Sequence, residues 1–368
     1  MFASNPASYL EQLRAYASEA VAAKLADSTR QGYDTGWKHW TDFCEAQGKP
    51  PFLEGESKAE IRNDEDLLLL FVAYLSKTLQ RTEGTIKQKL FAVKFAHTVA
   101  GLPDPLKGKV RLWAALGGIL RWQGAPQRRH PIMPEQLEWL AKQLPLEYPQ
   151  ADAVALWAMI SLGWHFLLRS AEYLPQEGSG GASWNRVLHG TDVEPRAGGK
   201  RASCFRDADE IVIYIKASKT DQYNVGTTRN HHRAAGPLCP VEAMTKYEFA
   251  FPGRLGEALP LARYGDGKPI RREHVQQLLE QATIATGGDP GRIGTHSLRI
   301  GGATALYHTV QDLAYVQRFG RWASDAYHVY LWDSHELTKG LASKMAQAKG
   351  TLTTPKPARL PSEGAVAP

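Results

Sequence analysis

The sequence predicts a mainly helical protein with a small β-hairpin or sheet, organised as two domains. The 368 residues suffice for two domains of roughly 100–200 residues each. Hydrophobic residues make up 43% of the chain, and over most of its length they recur with the period of an α-helix. One segment differs, because Ile211, Ile213 and Ile215 alternate with other residues as in a strand, and a turn-prone stretch follows them. This composition and periodicity exclude global disorder.

Residues 1–123 are predicted to form a helical N-terminal domain. Tyr33, Trp37, Trp40 and Cys44 follow one another at intervals of four, three and four residues, which places them on one face of a helix. We interpret this face as part of a packed core. Three further helices are predicted, one after Asp64, one from about Thr82, and one from about Lys109 to Trp122.

Residues 124–134 are predicted to be a linker, because they contain three prolines and both Pro and Gly disfavour helix. A second domain of mixed, mainly helical structure is expected at 135–347. Within it, residues 176–206 are Gly-rich and poorly periodic, and we interpret them as a long loop or insertion. The tail at 348–368 is Pro-rich with little apolar content and is predicted to be disordered.

The composition favours a polyanionic partner and a reducing compartment. The formal net charge is +6 and the isoelectric point is near 9.0, a balance that suits a nucleic acid without demonstrating one. The three cysteines form no Cys-x-x-Cys pair, which argues against a disulfide framework or a structural zinc site. The longest apolar run, Leu67 to Leu75, is far shorter than the ~20 residues that span a bilayer, and no signal peptide is recognisable.

Three segments carry residues suited to catalysis. In GTHSLRIGGATAL, His296 and Arg299 stand three residues apart and project from one helical face, and two glycines follow directly. In FLLRSAEYL, Arg169 ends an apolar stretch and Glu172 follows three residues later. A buried arginine is usually paired or bound to an anion. Each motif alone has an ordinary structural explanation, as a buried helix or an Arg–Glu pair.

The third segment, RFGRWASDAYHVYLW, contains Trp322, Tyr327 and Tyr330. The two tyrosines are three residues apart, so they lie on one face of a predicted helix. Considered alone, this pattern is typical of residues in a core or at its rim.

Together with the lysine of IKASKTDQ, these segments occur in the order and approximate spacing of the tyrosine recombinase (phage integrase) family, which the chain therefore resembles. The resemblance is closest to eukaryotic mobile-element members of the Crypton and DIRS-like kind, in which strings similar to HSLRIGGAT and GRW-S-DAY are typical. It covers residues 135–345 well and residues 1–123 only in general helical character. The resemblance implies a helical core-binding domain followed by a tyrosine-recombinase catalytic domain.

The resemblance further implies a site-specific DNA recombinase or integrase that cleaves and rejoins DNA through a 3′-phosphotyrosine intermediate. The family's catalytic set falls on six residues of this sequence, and none is missing: Arg169, Lys219, His296, Arg299, Trp322 and Tyr330. Two alternatives stay open. Tyr327 competes with Tyr330 as the nucleophile, and Lys216 competes with Lys219 as the lysine of the hairpin.

The residue types fit phosphodiester cleavage. Arg169 and Arg299 would bind the nonbridging oxygens through forked hydrogen bonds. Tyr330 would attack phosphorus with His296 as its base or proton relay. Lys219, on the hairpin, would protonate the departing 5′-oxygen.

Two more residues complete the implied site. Trp322 would donate its indole N–H to a phosphate oxygen, and Glu172 would orient the neighbouring arginine or histidine. No metal or other cofactor is implied, because the arginines supply the charge that bound metal ions would otherwise provide. The adjacent His231 and His232 point apart and have no acidic partner at ligand spacing, so they predict no metal site.

Double-stranded DNA is the implied partner, bound by a homotetramer on two DNA sites, with a monomer or dimer expected without DNA. A C-terminal segment, Asp333 to Lys349, is expected to dock on a neighbouring copy. No membrane partner is expected, and the protein would be nuclear in a eukaryote, otherwise cytoplasmic or nucleoid-associated, and not secreted. Candidate DNA contacts lie on the third helix and in the linker: Thr85, Lys87, Gln88, Lys94, Arg128 and Arg129. The four helical residues are equally explained as a solvated face.

Two rival functions stand beside this interpretation. A domesticated DNA-binding protein would keep the fold without turnover, although the complete catalytic set argues against it. A type IB topoisomerase or telomere resolvase would share the chemistry but not the outcome. A covalent DNA adduct excludes the first rival, and relaxation of supercoiled DNA without a second duplex favours the second.

Overall fold

The structure is a computed structural model that describes residues 6–25, 27–125, 127–175, 184, 186–216, 225–333 and 339–347. The chain divides into two compact units, Met1–Gln127 and Arg128–Pro368. The predicted disordered tail at 348–368 and the candidate Lys219 lie outside the described residues. Residues 334–338 and 348–349 of the segment that we expect to dock on a neighbouring copy also lie outside them.

The N-terminal unit consists of helices packed around one apolar core. Its helices are α1 (Pro6–Ala22), α2 (Asp27–Ala46), α3 (Lys58–Ala73, continued by a π-helical turn Tyr74–Thr78), α4 (Glu83–Val99) and α5 (Val110–Gln123). The predicted aromatic face of α2 is confirmed, since Trp40 and Cys44 are fully buried in this core. Side-chain caps define two helix starts, because Ser57 accepts from the backbone of Glu60 and Thr82 from that of Thr85.

The C-terminal unit is mainly helical and carries one small sheet. Its helices are α6 (Pro134–Glu147), α7 (Gln150–His165), α8 (Ser170–Tyr173), α9 (Pro240–Ala250), α10 (Arg272–Ala285), α11 (His296–Val310), α12 (Leu313–Gly320) and α13 (Leu341–Gln347). Short 3₁₀ helices lie between them, and the one that matters for the site is Asp325–Tyr330. Among the described helices of both units, none is long and apolar enough to cross a membrane.

Within the described residues, the sheet is antiparallel and has four strands in the order β2-β1-β3-β4. The predicted strand is confirmed as β3 (Glu210–Ile215), which pairs with β4 (Thr227–His232). The interpretation of residues 176–206 as a loop or insertion was wrong in part, because β1 (Val193–Ala197) and β2 (Lys200–Arg201) lie there. The short β1 contains a proline and two charged residues, so it becomes a strand through its pairing with β3.

Residues 128–132 of the predicted linker are bonded within the C-terminal unit. The backbone N–H of His130 donates to the carbonyl of Arg292 at 2.9 Å, and that of Ile132 donates to the carbonyl of Ser297 at 3.0 Å. These bonds hold the segment against the start of α11, the helix that carries two of the predicted catalytic residues. The structural division of the chain therefore falls at residue 128, inside the predicted linker.

Two consecutive glycines allow α11 to approach its neighbours at backbone distance. A Cβ on Gly301 would lie 1.8 Å from the carbonyl oxygen of Ile132, and one on Gly302 would lie 2.1 Å from that of Trp164. Any side chain would force these backbones apart. The Gly-Gly pair thus sets the depth at which α11 sits in the unit.

Substitution of these glycines should destabilise the C-terminal unit severely. We expect Gly301→Ala or Gly302→Ala to lower the free energy of unfolding by about 3 kcal/mol or more, because a backbone must move. The matched control is Gly117→Ala on α5, where an added Cβ meets nothing within 4 Å. That change should raise the stability of its own unit by roughly 0.5–1 kcal/mol. Urea unfolding measures both effects, and equal effects at the two sites would contradict the close-approach explanation.

Candidate active site

Five of the six predicted catalytic residues lie together where three segments of the C-terminal unit meet. Arg169 precedes α8, His296 and Arg299 lie in the first turns of α11, and Trp322 and Tyr330 follow α12. Lys219, the sixth, is outside the described residues, so its role stays a prediction. Its rival Lys216 forms an ion pair with the buried Asp192, with 2.7 Å between Nζ and Oδ2.

The phenol of Tyr330 is hydrogen bonded to the imidazole of His296. The distance between Oη and Nε2 is 2.9 Å, and the ring centroids are 5.1 Å apart. Burial first, and then the nearby charges of Arg299 and Arg169, lower the pKa of His296 to about 4. The imidazole is therefore neutral at pH 7, and with its proton on Nδ1 its Nε2 accepts the phenolic hydrogen. A base and a potential nucleophile are thus in hydrogen-bonding contact.

Tyr330, and not Tyr327, makes this contact. Tyr327 is 7% exposed and packs in an apolar cluster with Trp322 and its neighbours. The segment that carries both tyrosines is a 3₁₀ helix, Asp325–Tyr330, where an α-helix had been predicted. Because a 3₁₀ helix repeats every three residues, the two tyrosines still share a face.

Arg299 is fully buried and donates hydrogen bonds to the backbone of two separate segments. Its Nη1 donates to the carbonyl of Leu167 at 2.7 Å and its Nη2 to that of Gly320 at 2.5 Å. The guanidinium lies over the ring of Trp322, 4.5 Å from the centroid. Burial lowers its pKa to about 9, so it is charged at neutral pH.

The carboxylate of Glu172 accepts hydrogen bonds from two guanidiniums. Its Oε1 accepts from Nη1 of Arg169 at 2.9 Å, and its Oε2 accepts from the Arg169 backbone N–H at 2.8 Å and from Nη2 of Arg321 at 2.7 Å. The predicted role of Glu172 as a residue that orients Arg169 is consistent with this geometry. Arg321 was missed, although it stands beside Trp322 in the quoted string GRWASDAY, because nothing local separates it from a surface arginine.

Trp322 is buried to 8% exposure, and its ring packs 4.9 Å from that of Tyr330. Its indole nitrogen is buried and has no hydrogen-bond partner among the residues that the structure describes. An unpartnered buried N–H is costly, so the atom is suited to donate to a ligand oxygen. The predicted phosphate contact of Trp322 is compatible with this finding and stays a prediction.

Arg128 holds the backbone on both sides of Tyr330. Its Nη2 donates to the carbonyl of Val329 at 2.6 Å and to that of Leu331 at 3.2 Å. The carbonyl of Tyr330 itself accepts from the hydroxyl of Thr304 at 3.0 Å. Arg128 is exposed, and its predicted DNA contact stays a prediction beside this contact with the segment of the potential nucleophile.

Arg129, the other linker candidate, donates from Nη1 to the carbonyl of Ile293. Its charge is one of those that lower the pKa of His296. The residue therefore lies close enough to the site for electrostatic influence. Its predicted DNA contact is untested by these bonds.

The four helical candidates for DNA contact lie on α4 of the N-terminal unit. Lys87 forms an ion pair with Glu83, and Lys94 forms one with Asp104 at 2.6 Å, yet the two lysine side chains remain 41% and 46% exposed. Exposed ion pairs of this kind contribute about 0–1 kcal/mol, so exchange of the carboxylate for a phosphate would cost little. The hydroxyl of Thr85 bonds to that of Thr82, and Gln88 is exposed.

Arg229 on β4 joins the sheet to the site, and sequence reasoning missed it. Its Nε donates to the carbonyl of Phe319 at 2.9 Å and its Nη2 to that of Arg318 at 2.6 Å, both in the last turn of α12. A cation at a helix C-terminus is favourable because the carbonyls there have no helical partners. The contact fixes the position of the sheet relative to the segment that leads to Tyr330.

Two buried histidines should make the C-terminal unit sensitive to acid. Burial lowers the pKa of His165 to about 4, as it does for His296. In the unfolded chain a histidine has a pKa near 6.5 and is protonated at pH 5. In the folded state these two histidines are still neutral at that pH. Stability is therefore complete above about pH 6.5 and is lost as the pH falls toward 4.

We expect each of the two histidines to remove roughly 1.5 kcal/mol of unfolding free energy between pH 6.5 and 5. Urea unfolding of the full chain at these two pH values measures the loss. In His165→Asn the pH dependence should shrink by the contribution of one histidine, roughly 1.5 kcal/mol over this range. His328→Asn is the control, because His328 is exposed, and an equal effect of the two substitutions would contradict the assignment.

Comparison with solved structures identifies the fold. The chain is similar to the XerH site-specific recombinase bound to its palindromic difH substrate after cleavage, with a TM-score of 0.50 and 17% sequence identity over 77% of this chain and 73% of that chain. A lambda integrase tetramer bound to a Holliday junction gives a TM-score of 0.48 and 16% identity over 89% of this chain and 80% of that chain. No family model and no curated protein sequence matches the chain.

The structural neighbours are tyrosine recombinases, and the likeness to XerH shows that this chain has their fold. The predicted fold class, mainly helical with a small antiparallel sheet, is confirmed. The closer resemblance to Crypton and DIRS-like recombinases stays a prediction.

Proposed function

We propose that this protein is a site-specific DNA recombinase or integrase that cleaves and rejoins DNA through a 3′-phosphotyrosine intermediate. The observation that carries the proposal is the Tyr330 phenol, hydrogen bonded at 2.9 Å to a neutral His296. Beside this pair lie the guanidiniums of Arg169 and Arg299. A nucleophile, its base and cations for a phosphoryl group are the parts that cleavage of a phosphodiester requires.

Cleavage begins when the Oη of Tyr330 attacks the phosphorus. The phenolic proton passes to Nε2 of His296, and a new P–O bond forms to the tyrosine. Arg169 and Arg299 stabilise the negative charge that grows on the nonbridging oxygens. The bond from phosphorus to the 5′-oxygen breaks, and that oxygen takes a proton from a general acid, for which Lys219 is the candidate.

Rejoining reverses these steps on a different strand end. The incoming 5′-hydroxyl gives its proton to the lysine amine and attacks the phosphotyrosine, and the tyrosine oxygen recovers its proton from His296. No bond energy is lost to water, so no external energy source is needed. As the neighbours are described with difH DNA and, for lambda integrase, as a tetramer on a Holliday junction, we propose a homotetramer on two double-stranded DNA sites as the working assembly.

The protein would then act where its DNA lies, in the nucleus of a eukaryote or at the nucleoid of a prokaryote. Mobile-element DNA is the proposed substrate. The net charge of +6 supports association with a polyanion.

The direct test is a search for a covalent protein–DNA adduct. The full chain is incubated with a pool of duplexes of random sequence, and complexes that resist detergent are digested with protease. Sequencing of the trapped 3′ ends gives the cleavage site, and duplexes with that site and a nick beside it then accumulate the adduct. Absence of any adduct would overturn the proposal and favour a DNA-binding protein without turnover.

The outcome of rejoining separates the proposal from a topoisomerase or a telomere resolvase. Two duplexes that carry the identified site should exchange strands, which is detected as products of new length. Relaxation of a supercoiled circle that has a single site, without exchange, would favour the topoisomerase.

A further inference from the structure

Arg321 belongs to none of the predicted catalytic positions, yet its side chain is 7% exposed and lies in the middle of the site. We propose that Arg321 is a third phosphate-binding guanidinium of this active site. The proposal rests on the proposed function, and it adds a residue that acts on the same phosphoryl group as Arg169 and Arg299.

The backbone at Arg321 turns the side chain inward at an energetic cost. α12 ends at Gly320, and Arg321 follows with φ of +62° in the left-handed region. This conformation is unfavourable for a residue with a Cβ, and glycine or asparagine usually occupies it. The side-chain contacts of Arg321 have to offset this cost.

The contacts of Arg321 occupy one side of its guanidinium. Nη2 donates to Oε2 of Glu172 at 2.7 Å and to the carbonyl of Leu167 at 3.1 Å. Nε and Nη1 are buried and have no partner among the described residues. A buried donor without a partner is destabilising, so two of them on one side chain point to a ligand.

The unpartnered donors are grouped. Arg299 Nε and Trp322 Nε1 are also buried without a partner in the described part of the chain. Arg299 shares the acceptor Leu167 O with Arg321, and its guanidinium lies 4.5 Å from the centre of the Trp322 ring. These three residues therefore carry four unpartnered donor atoms, and one bound anion would provide acceptors for them.

The charges of the cluster point to the same ligand. Arg169, Arg299 and Arg321 carry three positive charges, and Glu172 cancels one of them. Without Arg321 the cluster would face the phosphoryl group with a net charge of +1. The phosphodiester starts with one negative charge and gains a second on its oxygens as the tyrosine attacks, so the third guanidinium acts most strongly on the transition state.

A purely structural role for Arg321 predicts different behaviour. If the residue served only to hold Glu172, one donor would suffice, and loss of the residue would affect every substrate equally. If it binds the phosphoryl oxygens, the effect of its loss depends on the charge of those oxygens. A methylphosphonate linkage, in which a methyl group replaces one nonbridging oxygen, removes one negative charge and so provides this distinction.

The test uses Arg321→Met and Arg321→Lys in the full chain, with the nicked duplexes defined by the adduct experiment. The scissile linkage is either an ordinary phosphodiester or one separated stereoisomer of the methylphosphonate. Rates of adduct formation are measured in single turnovers with saturating protein, so that differences in DNA affinity do not enter. The matched control is Arg318→Met, which removes the same charge from an exposed position on α12.

On the phosphodiester we expect Arg321→Met to form the adduct at least ~100-fold more slowly than the unsubstituted protein, and Arg321→Lys at least ~10-fold more slowly. On one methylphosphonate isomer the deficit of each variant should shrink by about tenfold or more. Arg318→Met should stay within about threefold on both linkages.

A deficit of equal size on all linkages would overturn direct phosphate binding, as would rates within about threefold of the unsubstituted protein. Thermal unfolding shows whether Arg321→Met folds. If it does not, the comparison of the two linkages is made with Arg321→Lys alone, because lysine keeps a donor for Glu172. Absence of an adduct from the unsubstituted protein is a different result, because it refutes the proposed function itself.

Discussion

Replacement of Tyr330 by phenylalanine should yield a folded protein that binds DNA and forms no covalent adduct. The substitution removes one oxygen, and that oxygen is the atom that contacts Nε2 of His296 at 2.9 Å. We therefore expect a loss of adduct formation to the detection limit, at least ~10⁴-fold, in the nicked-duplex assay.

The control is Tyr327→Phe, which removes the hydroxyl of the rival tyrosine from the same 3₁₀ helix. Tyr327 contributes its ring to the apolar cluster beside Trp322, and phenylalanine preserves that packing. Adduct formation should stay within about threefold of the unsubstituted protein. The reverse result, with Tyr327→Phe inactive and Tyr330→Phe active, would move the nucleophile to Tyr327 and refute the assignment made from the His296 contact.

The second large effect, on the stability of the C-terminal unit, is expected from Glu172→Gln. The carboxylate of Glu172 is 5% exposed and is bonded to both Arg169 and Arg321. Glutamine has nearly the same shape but no charge, so the two guanidiniums would face each other and Arg299 without a counter-ion. Loss of one partner of a buried ion pair costs about 3–5 kcal/mol. We expect the free energy of unfolding of the C-terminal unit to fall by about 3 kcal/mol in urea at pH 7.

A surface pair in the same unit provides the comparison. Glu242 pairs with Arg233 at 2.8 Å, with side chains 41% and 33% exposed, and Glu242→Gln should cost less than about 1 kcal/mol. Added sulfate should restore stability to Glu172→Gln more than to Glu242→Gln, because an anion binds the uncompensated guanidiniums of the folded state. A loss of similar size in the two variants, or no selective effect of sulfate, would show that Glu172 is no counter-ion for the cluster.

Much of the site could be predicted because its parts are short strings of sequence. His296 and Arg299 are separated by about one helical turn, and Arg169 and Glu172 are bonded across three residues. Spacing of this kind is readable without a structure. The fold class was predictable for a similar reason, since helical periodicity dominates the chain and the strand β3 alternates cleanly.

The parts that sequence reasoning missed depend on contacts between distant residues. Arg321 meets Glu172 across 149 residues, and Arg128 meets Val329 across 201 residues. Arginines in such strings are equally compatible with a surface position or a DNA contact, so composition cannot distinguish them. Strand β1 was missed because its residues have little preference for strand. The role of Lys219, which lies between β3 and β4 in the sequence and outside the described residues, stays a prediction.

The hydrogen bonds from Arg128 to the backbone around Tyr330 have a consequence for protein engineering. A chimera can be designed in which the N-terminal unit of one protein is joined to the C-terminal unit of another. In this chain, a junction placed after residue 128 would transplant the rear part without the arginine that holds its tyrosine segment. Functional chimeras should therefore be joined before Arg128, so that this residue and the C-terminal unit come from the same protein.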